Sequence, residues 1–299
     1  MLGLKQNTVA LVPHDPAWKR VAAEECARIR DILGDVCIDC AHVGSTSIES
    51  ICAKPIIDIA VGVDSFEKLP LYFDQMKDSG YIHREKNDNE WQLFFSKCGD
   101  APDTRTLHIH VVIHGGREWR NYINFRDYIR SHECDAKKYE ELKLRLCESF
   151  PLDRVSYTDG KAEFIERMLC RSDAYSYLGK RVEIGIDRPI GYLHRKGEKT
   201  LLYPINYGFL PGIIGGDGEE LDVYVLGADR PLESTVGKIV GIVYREDDIE
   251  DKLIASIDNT YRTAEEMARA IEFQEKYYIS RVEALDASEQ IKNTNGENK

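Results

Sequence analysis

The chain has 299 residues and a formal net charge of −12, from 40 Lys and Arg against 52 Asp and Glu. With 42% hydrophobic and 31% charged residues it can bury a core, which excludes wholesale disorder, and its length suits two domains. Neither half is basic, which excludes an electrostatic nucleic-acid binder, and no apolar run approaches the roughly 18 residues of a membrane helix. The first residues lack the basic segment and apolar core of a secretory signal, so a cytoplasmic protein is expected.

In chain order, residues 16–33 have helical spacing, with Trp18, Val21, Ala22, Cys26, Ile29 and Leu33 on one side and Asp15 as N-cap before Pro16. AHVGSTSIES leads into the β-rich run KPIIDIAVGV. Residues 66–79 read as a helix ended by Gly80, and WQLFFS and LHIHVVIH as strands. Residues 118–149 are mostly helical, and YTDGKAEFIERML is a further helix. All eight cysteines, from Cys26 to Cys170, lie in this half; Cys37 and Cys40 have CxxC spacing without a second pair, so reduced thiols are expected. After RSDAYSYLGK the texture changes to short β-rich runs, RVEIGID, LDVYVL, KIVGIVY and KLIASI, separated by Gly, Pro and Asp turns. Residues 263–285 read as a helix. This places domains at 1–172 and 173–286, with a linker near 171–179 and a polar, disordered tail at 287–299.

A Gly44-Ser45 turn at a helix start can offer backbone N–H groups to phosphate, and Asp58 on the next strand can hold Mg²⁺ against it. On a strand, His108 and His110 project from one face, where they can ligate a metal, meet phosphate or form structural polar surface. Six segments occur in the order seen in one family: Val12–Trp18, His42–Ile48, Lys54–Ile59, Leu107–Val111, Phe125–Ile129 and Tyr157–Ile165. They resemble the GrpB family, whose fold is similar to that of nucleotidyltransferases. The resemblance implies an α/β (α+β) N-terminal domain with a nucleotide- or phosphate-binding cleft holding Gly44, Ser45, Lys54, Asp58, His108, His110, Arg126 and Lys161. Ala60 stands where an active nucleotidyltransferase carries a second carboxylate, so little or no transferase turnover is expected.

In the second half, Asp217, Glu219 and Asp222 follow Tyr203-Pro-Ile-Asn-Tyr207-Gly-Phe209, and Arg245–Lys252 carries five carboxylates in six positions. Each acidic run alone reads as a solvated turn or as a cation site. Together, and with a Lys closing the second, they favour hard cations that neutralise phosphate and activate water. The block resembles the family I soluble inorganic pyrophosphatases. That resemblance implies a mainly β, five-stranded barrel with flanking helices, with Asp217, Glu219 and Asp222 as metal ligands, Asp247 and Asp251 as further ligands and Lys252 as a phosphate contact. It also makes Asp222 a candidate to orient or deprotonate water, with Tyr203, Tyr207 and Tyr277 near phosphate. Gly185 falls where the family carries a metal-facing Glu, on a shortened hairpin where Arg188, His194, Lys196 or Lys199 can supply cationic contacts.

The combined reading is a Mg²⁺-dependent hydrolase of pyrophosphate or a related phosphoanhydride, fused to a domain that binds nucleotide or phosphate. Its partners are small molecules, and a homo-oligomer is compatible with it. The alternative is a non-catalytic nucleotide- or polyphosphate-binding protein with two decayed sites, favoured by Ala60, Gly185 and the short hairpin.

Overall fold

The structure, a computed structural model, describes residues 2–5, 7–99, 101, 103–197, 199–215, 218–258, 260 and 262–291, without the side chains at 196, 199 and 291. The chain divides into two compact units, Met1–Leu169 and Cys170–Lys299. Among the described residues no helix is long and apolar enough to cross a membrane.

The first unit is built on strands β1 (Leu4–Lys5), β2 (Cys37–Val43), β3 (Ile57–Val63), β4 (Tyr81–His83), β5 (Gln92–Cys98) and β6 (Thr104–Ile113). They form a mixed sheet in the order β2-β3-β6-β5-β4, with β1 added on β6. Only β3 and β6 run parallel in it. Helix α1 (Ala17–Leu33) starts one residue later than expected, with Pro16 rather than Asp15 at the N-cap position, and Asp15 Oδ1 accepts the Ala17 N–H at 3.0 Å. Its apolar stripe packs Trp18, Ala22, Cys26, Ile29 and Leu33 against the β3 and β6 residues Ile57, Ile59, Ile109 and Val111. Helix α2 (Phe73–Asp78) is shorter than expected, because Pro70 starts a 3₁₀ turn at Leu69–Tyr72 ahead of it. The helical stretch 118–149 is two helices, α3 (Arg117–Ser131) and α4 (Glu133–Ser149), broken at His132. Gly160 likewise separates α5 (Arg154–Asp159) from α6 (Ala162–Ser176).

The second unit contains β7 (Arg181–Arg188), a hairpin of β8 (Leu193–Lys196) and β9 (Lys199–Leu202), β10 (Asn206–Ile214), β11 (Glu220–Leu226), β12 (Ser234–Arg245) and β13 (Lys252–Ser256). Strands β7, β10, β11, β13 and β12 pair in that order, and β12 pairs back to β7, so five strands close a barrel. Helix α7 (Ala264–Glu275) carries a capping box of Thr263 and Glu266 and puts Met267 and Ile271 on the barrel core. The expected helix over 263–285 ends there: β14 (Ser280–Ala284) pairs antiparallel with β12, whose free edge outranks the local helical pattern. The tail expected to be disordered begins with a short helix, α8 (Ala287–Ile291). Gln290 pins it, donating to Leu285 O at 2.7 Å and accepting from Arg262 N at 3.2 Å; residues 292–299 lie outside the described ones.

Two glycines set the closest strand approach. A Cβ on Gly208 would stand 1.7 Å from Gly185 O across the β10–β7 pair. Gly208→Ala should therefore lower the stability of the second unit by about 3 kcal/mol or more, read as an earlier thermal unfolding transition by far- and near-UV circular dichroism.

Candidate functional site

In the barrel, β10 and β11 carry the chemistry. Register pairs Phe209 with Asp222 and Tyr207 with Tyr224. Tyr207 is fully buried, and its hydroxyl donates to Asp222 Oδ2 at 2.5 Å. Burial and then the Asp222 charge push its pKa well above the usual phenol range, so it stays a donor. The Lys252 ammonium, on a residue only 3% exposed, also donates to Asp222 Oδ2 and to Glu250 Oε2, the latter at 2.7 Å. Among the described residues Asp222 Oδ1 accepts no hydrogen bond, and its side chain is 23% exposed. Arg188, at the end of β7, donates to Tyr203 OH at 3.1 Å and lies over the Tyr207 ring, 4.9 Å from its centroid. Next to it, Asp187 has its carboxyl pushed up by burial and by the Asp222 charge, against the pull of Arg188.

The second acidic run divides differently from expectation. Strand alternation puts Glu250, not Asp251, on the face of Lys252. Asp251 instead accepts from Arg245 N at 3.0 Å and lies 3.6 Å from the buried Arg171 guanidinium. Asp247 accepts Ile279 N at 2.9 Å, stitching β14 to the loop. Both expected ligands are thus engaged in the fold. Tyr277 stands in the turn after α7 rather than in a helix, and is 61% exposed. His194 sits on the β8–β9 hairpin opposite Leu201, half-buried. Glu219 is exposed in the turn before β11, and Asp217 lies outside the described residues. Where a Glu is missing at Gly185, the Phe209 ring fills the place: a Cβ there would be 2.8 Å from Phe209 Cζ. Asp187 and Glu250 were missed by the sequence reading; the two-residue alternation back from Lys252 was the available signal for Glu250.

Among the described residues no three His, Cys, Asp or Glu side chains form a group placed to hold a metal. Mg²⁺ needs less: one or two carboxylates, with waters and substrate phosphates completing its shell. Asp222, with Oδ1 open, and Asp187, repelled by it, fit that requirement.

In the first unit, β3 and β6 place Asp58 beside His108 and Ala60 beside His110. Asp58 Oδ1 lies 3.2 Å from His108 Nδ1 and 3.4 Å from His110 Nε2. Burial opposes ionisation of this carboxyl, but the two imidazoles outweigh it and hold its pKa well below the usual range. Gly44, at φ 67°, lies against the same carboxylate: a Cβ there would be 2.5 Å from Asp58 Oδ2. Asp58, expected to hold Mg²⁺, is therefore surrounded by imidazoles and backbone. Ala60 packs in an apolar cluster with Val43, Val112 and Trp119, which is why no second carboxylate fits there. Ser45–Ser47 is a single 3₁₀ turn, not a helix start, and Ser45 donates to Tyr139 OH at 3.4 Å. Arg126 donates to His42 O at 3.1 Å and pairs with Asp127. Lys54 and Lys161 each lie 4.6 Å from the centroid of the buried Tyr157 ring.

The first unit thus gathers two histidines on one carboxylate of its sheet and two lysines on the Tyr157 ring, and the second is a closed barrel with a carboxylate–lysine–tyrosine cluster. This architecture is that of a GrpB-type domain followed by a pyrophosphatase-type barrel. The chain belongs to the GrpB family, whose model matches residues 8–171. Residues 179–284 match the inorganic pyrophosphatase family model. The glutamate-rich protein GrpB of Alkalihalophilus pseudofirmus is 37% identical over 171 residues, covering 56% of this chain and 98% of its own length. An inorganic pyrophosphatase of Rickettsia felis is 29% identical over 119 residues, covering 36% of this chain and 69% of its own. The crystal structure of the conserved protein GrpB from Enterococcus faecalis aligns with a TM-score of 0.52 and 28% identity, over 56% of this chain and 99% of that one.

Two outcomes follow from the buried charges. Lys252→Met strands two carboxylates and should cost about 3 kcal/mol of second-unit stability; chemical denaturation of the two proteins checks this. Burial, reinforced by Lys161, lowers the Lys143 pKa to about 7, and burial with Lys161 and Arg154 lowers Lys54 to about 8. Between those values and the ordinary Lys range, the unfolded chain binds more protons than the folded one. First-unit stability should therefore rise as pH rises from about 7 toward 10, and Lys143→Met should flatten that slope.

Proposed function

We propose that the barrel hydrolyses inorganic pyrophosphate or a related phosphoanhydride with Mg²⁺, and that the GrpB domain binds nucleotide or phosphate. The observation that carries the barrel reading is the Tyr207–Asp222–Lys252 arrangement, which fixes one carboxylate oxygen with two donors and leaves the other open. Lys252 and Tyr207 hold Asp222 oriented through Oδ2. Oδ1 is then the atom that accepts a proton from the attacking water. Arg188, part exposed and anchored on Tyr203, presents its remaining N–H groups to a phosphate oxygen. Mg²⁺, held by Asp222 and Asp187, would neutralise phosphate charge and acidify water. Joining a pyrophosphate-consuming barrel to a nucleotide-binding domain suits a transfer that releases pyrophosphate, since its removal makes the transfer irreversible.

Purified protein should release phosphate from pyrophosphate with Mg²⁺, and Asp222→Asn should reduce the rate by a factor on the order of 10² or more. Mg²⁺ should raise the second unfolding transition of the wild type and raise it less in the variant. A second reading, a binding protein without turnover, is favoured by the Phe209 ring over Gly185 and by Ala60 in its apolar cluster. Absence of both the Mg²⁺ shift and phosphate release would establish that reading instead.

A further inference from the structure

The first unit contains cations that its own fold does not neutralise. Lys54 follows the bridge between Ala53 and Val12, and Lys161 opens the turn ahead of α6; both side chains converge on Tyr157. Among the described residues neither ammonium makes a hydrogen bond or an ion pair. Arg154, at the start of α5, adds a third positive charge to the field at both. The carboxylate in that field is Asp58, and its Oδ1 already faces His108 and His110. Burying like charges together without a counterion is unfavourable, and an anion between them relieves both the repulsion and the lost hydration.

We infer that Lys54 and Lys161 form a phosphate subsite in the first unit that binds a free or nucleotide-borne phosphoanhydride without a divalent cation. The inference rests on reading this unit as a phosphate binder, and it assigns the charge-neutralising role to lysines rather than to a metal on Asp58. A part-buried ammonium is a strong donor to phosphate oxygen, and two of them beside a rigid ring hold one anionic group in a fixed place. Without a second carboxylate at position 60, a cation would have only Asp58 as an anchor, and that anchor is shared with two imidazoles.

The test is equilibrium binding to the full-length chain in excess EDTA, with inorganic tripolyphosphate and ATP as separate probes, followed by calorimetry and by the shift of the first unfolding transition. Wild type should bind at least one probe. Preference for tripolyphosphate marks an inorganic ligand, and preference for ATP a nucleotide. Lys54→Met and Lys161→Met should each weaken binding by about tenfold or more. Without ligand both should unfold at the wild-type temperature or above, since one of two repelling charges is gone. Asp58→Asn should tighten binding, because it removes the opposing carboxylate. Binding that requires Mg²⁺ and is lost in Asp58→Asn overturns the metal-free subsite while leaving the unit a phosphate binder. Binding in EDTA that both Lys→Met variants retain overturns the placement. No binding with or without Mg²⁺ overturns the phosphate-binding reading itself.

Discussion

Lys252 is the first residue of β13, and β13 is the strand that joins β11 to β12 and so closes the barrel. Its ammonium is buried on Asp222 and Glu250. An ion removed from water is tolerated only where opposite charge and hydrogen bonds replace its hydration, so β13 can dock only with those two carboxylates facing it. Tyr207 completes the arrangement from β10 through the same Asp222 oxygen. Barrel closure and the orientation of the Asp222 carboxylate are thus one interaction. The same rule governs the last residue of β12, Arg245, which donates to Glu275 of α7 at 2.5 Å, where Tyr224 also donates at 2.5 Å. That cluster ties α7, β11 and β12 together, and Arg245 also covers the Tyr278 ring at 3.6 Å.

The first unit obeys the rule in part. Glu25, inside its core, is met by Tyr81 at 2.5 Å and Lys97 at 3.0 Å, and Asp135 by Tyr128 at 2.7 Å. Lys143 donates to the Cys52 carbonyl, a neutral acceptor, and lies 4.6 Å from the Tyr139 ring centroid with the Glu140 charge acting on it. Around Tyr157, Lys54 and Lys161 make no hydrogen bond or ion pair among the described residues, and each lies 4.6 Å from the ring centroid.

The sequence made the gross division and the barrel strands legible because their periodicity is local: RVEIGID, LDVYVL and KIVGIVY lie in β7, β11 and β12. Tyr207, Asp222 and Lys252 were legible because the segments that carry them, 203–209, 217–223 and 247–252, resemble one family's motifs in order. The acidic run before β13 was not resolved. Five carboxylates in six positions are chemically alike, and which of them faces inward depends on where the strand begins. Asp187 was hidden for a related reason: the register shift between Tyr207 and Gly208 on the β10–β7 pair changes which β7 side chains face the site. Strand β14 was missed because its pairing partner, the edge of β12, is a tertiary feature that residues 280–284 do not encode locally. In the first unit the motif positions were legible, but the charge balance was not, since it depends on how Asp58 is shared between two histidines.

The Tyr203–Phe209 segment shows how a motif can be both structural and chemical. Asn206 is fully buried and accepts Ile190 N and Leu232 N at 3.1 Å each, while donating to Arg230 O at 3.0 Å. It therefore binds two connecting segments to β10 and has no polar group left for a ligand. Gly208 is there for strand clearance. Tyr203 packs edge-on against Tyr207 and Phe273, at 5.4 and 5.2 Å. Apart from the Tyr207 and Tyr203 hydroxyls, the segment is scaffold. The groups still open to a ligand are Asp222 Oδ1 and the outer N–H groups of Arg188, whose Nε lies 3.4 Å from Asp187 Oδ2 at the end of β7, just before the β8–β9 hairpin. The matched segment thus secures the barrel and the orientation of Asp222, whereas the end of β7 departs from the family pattern, with the Phe209 ring filling the place of a side chain at Gly185.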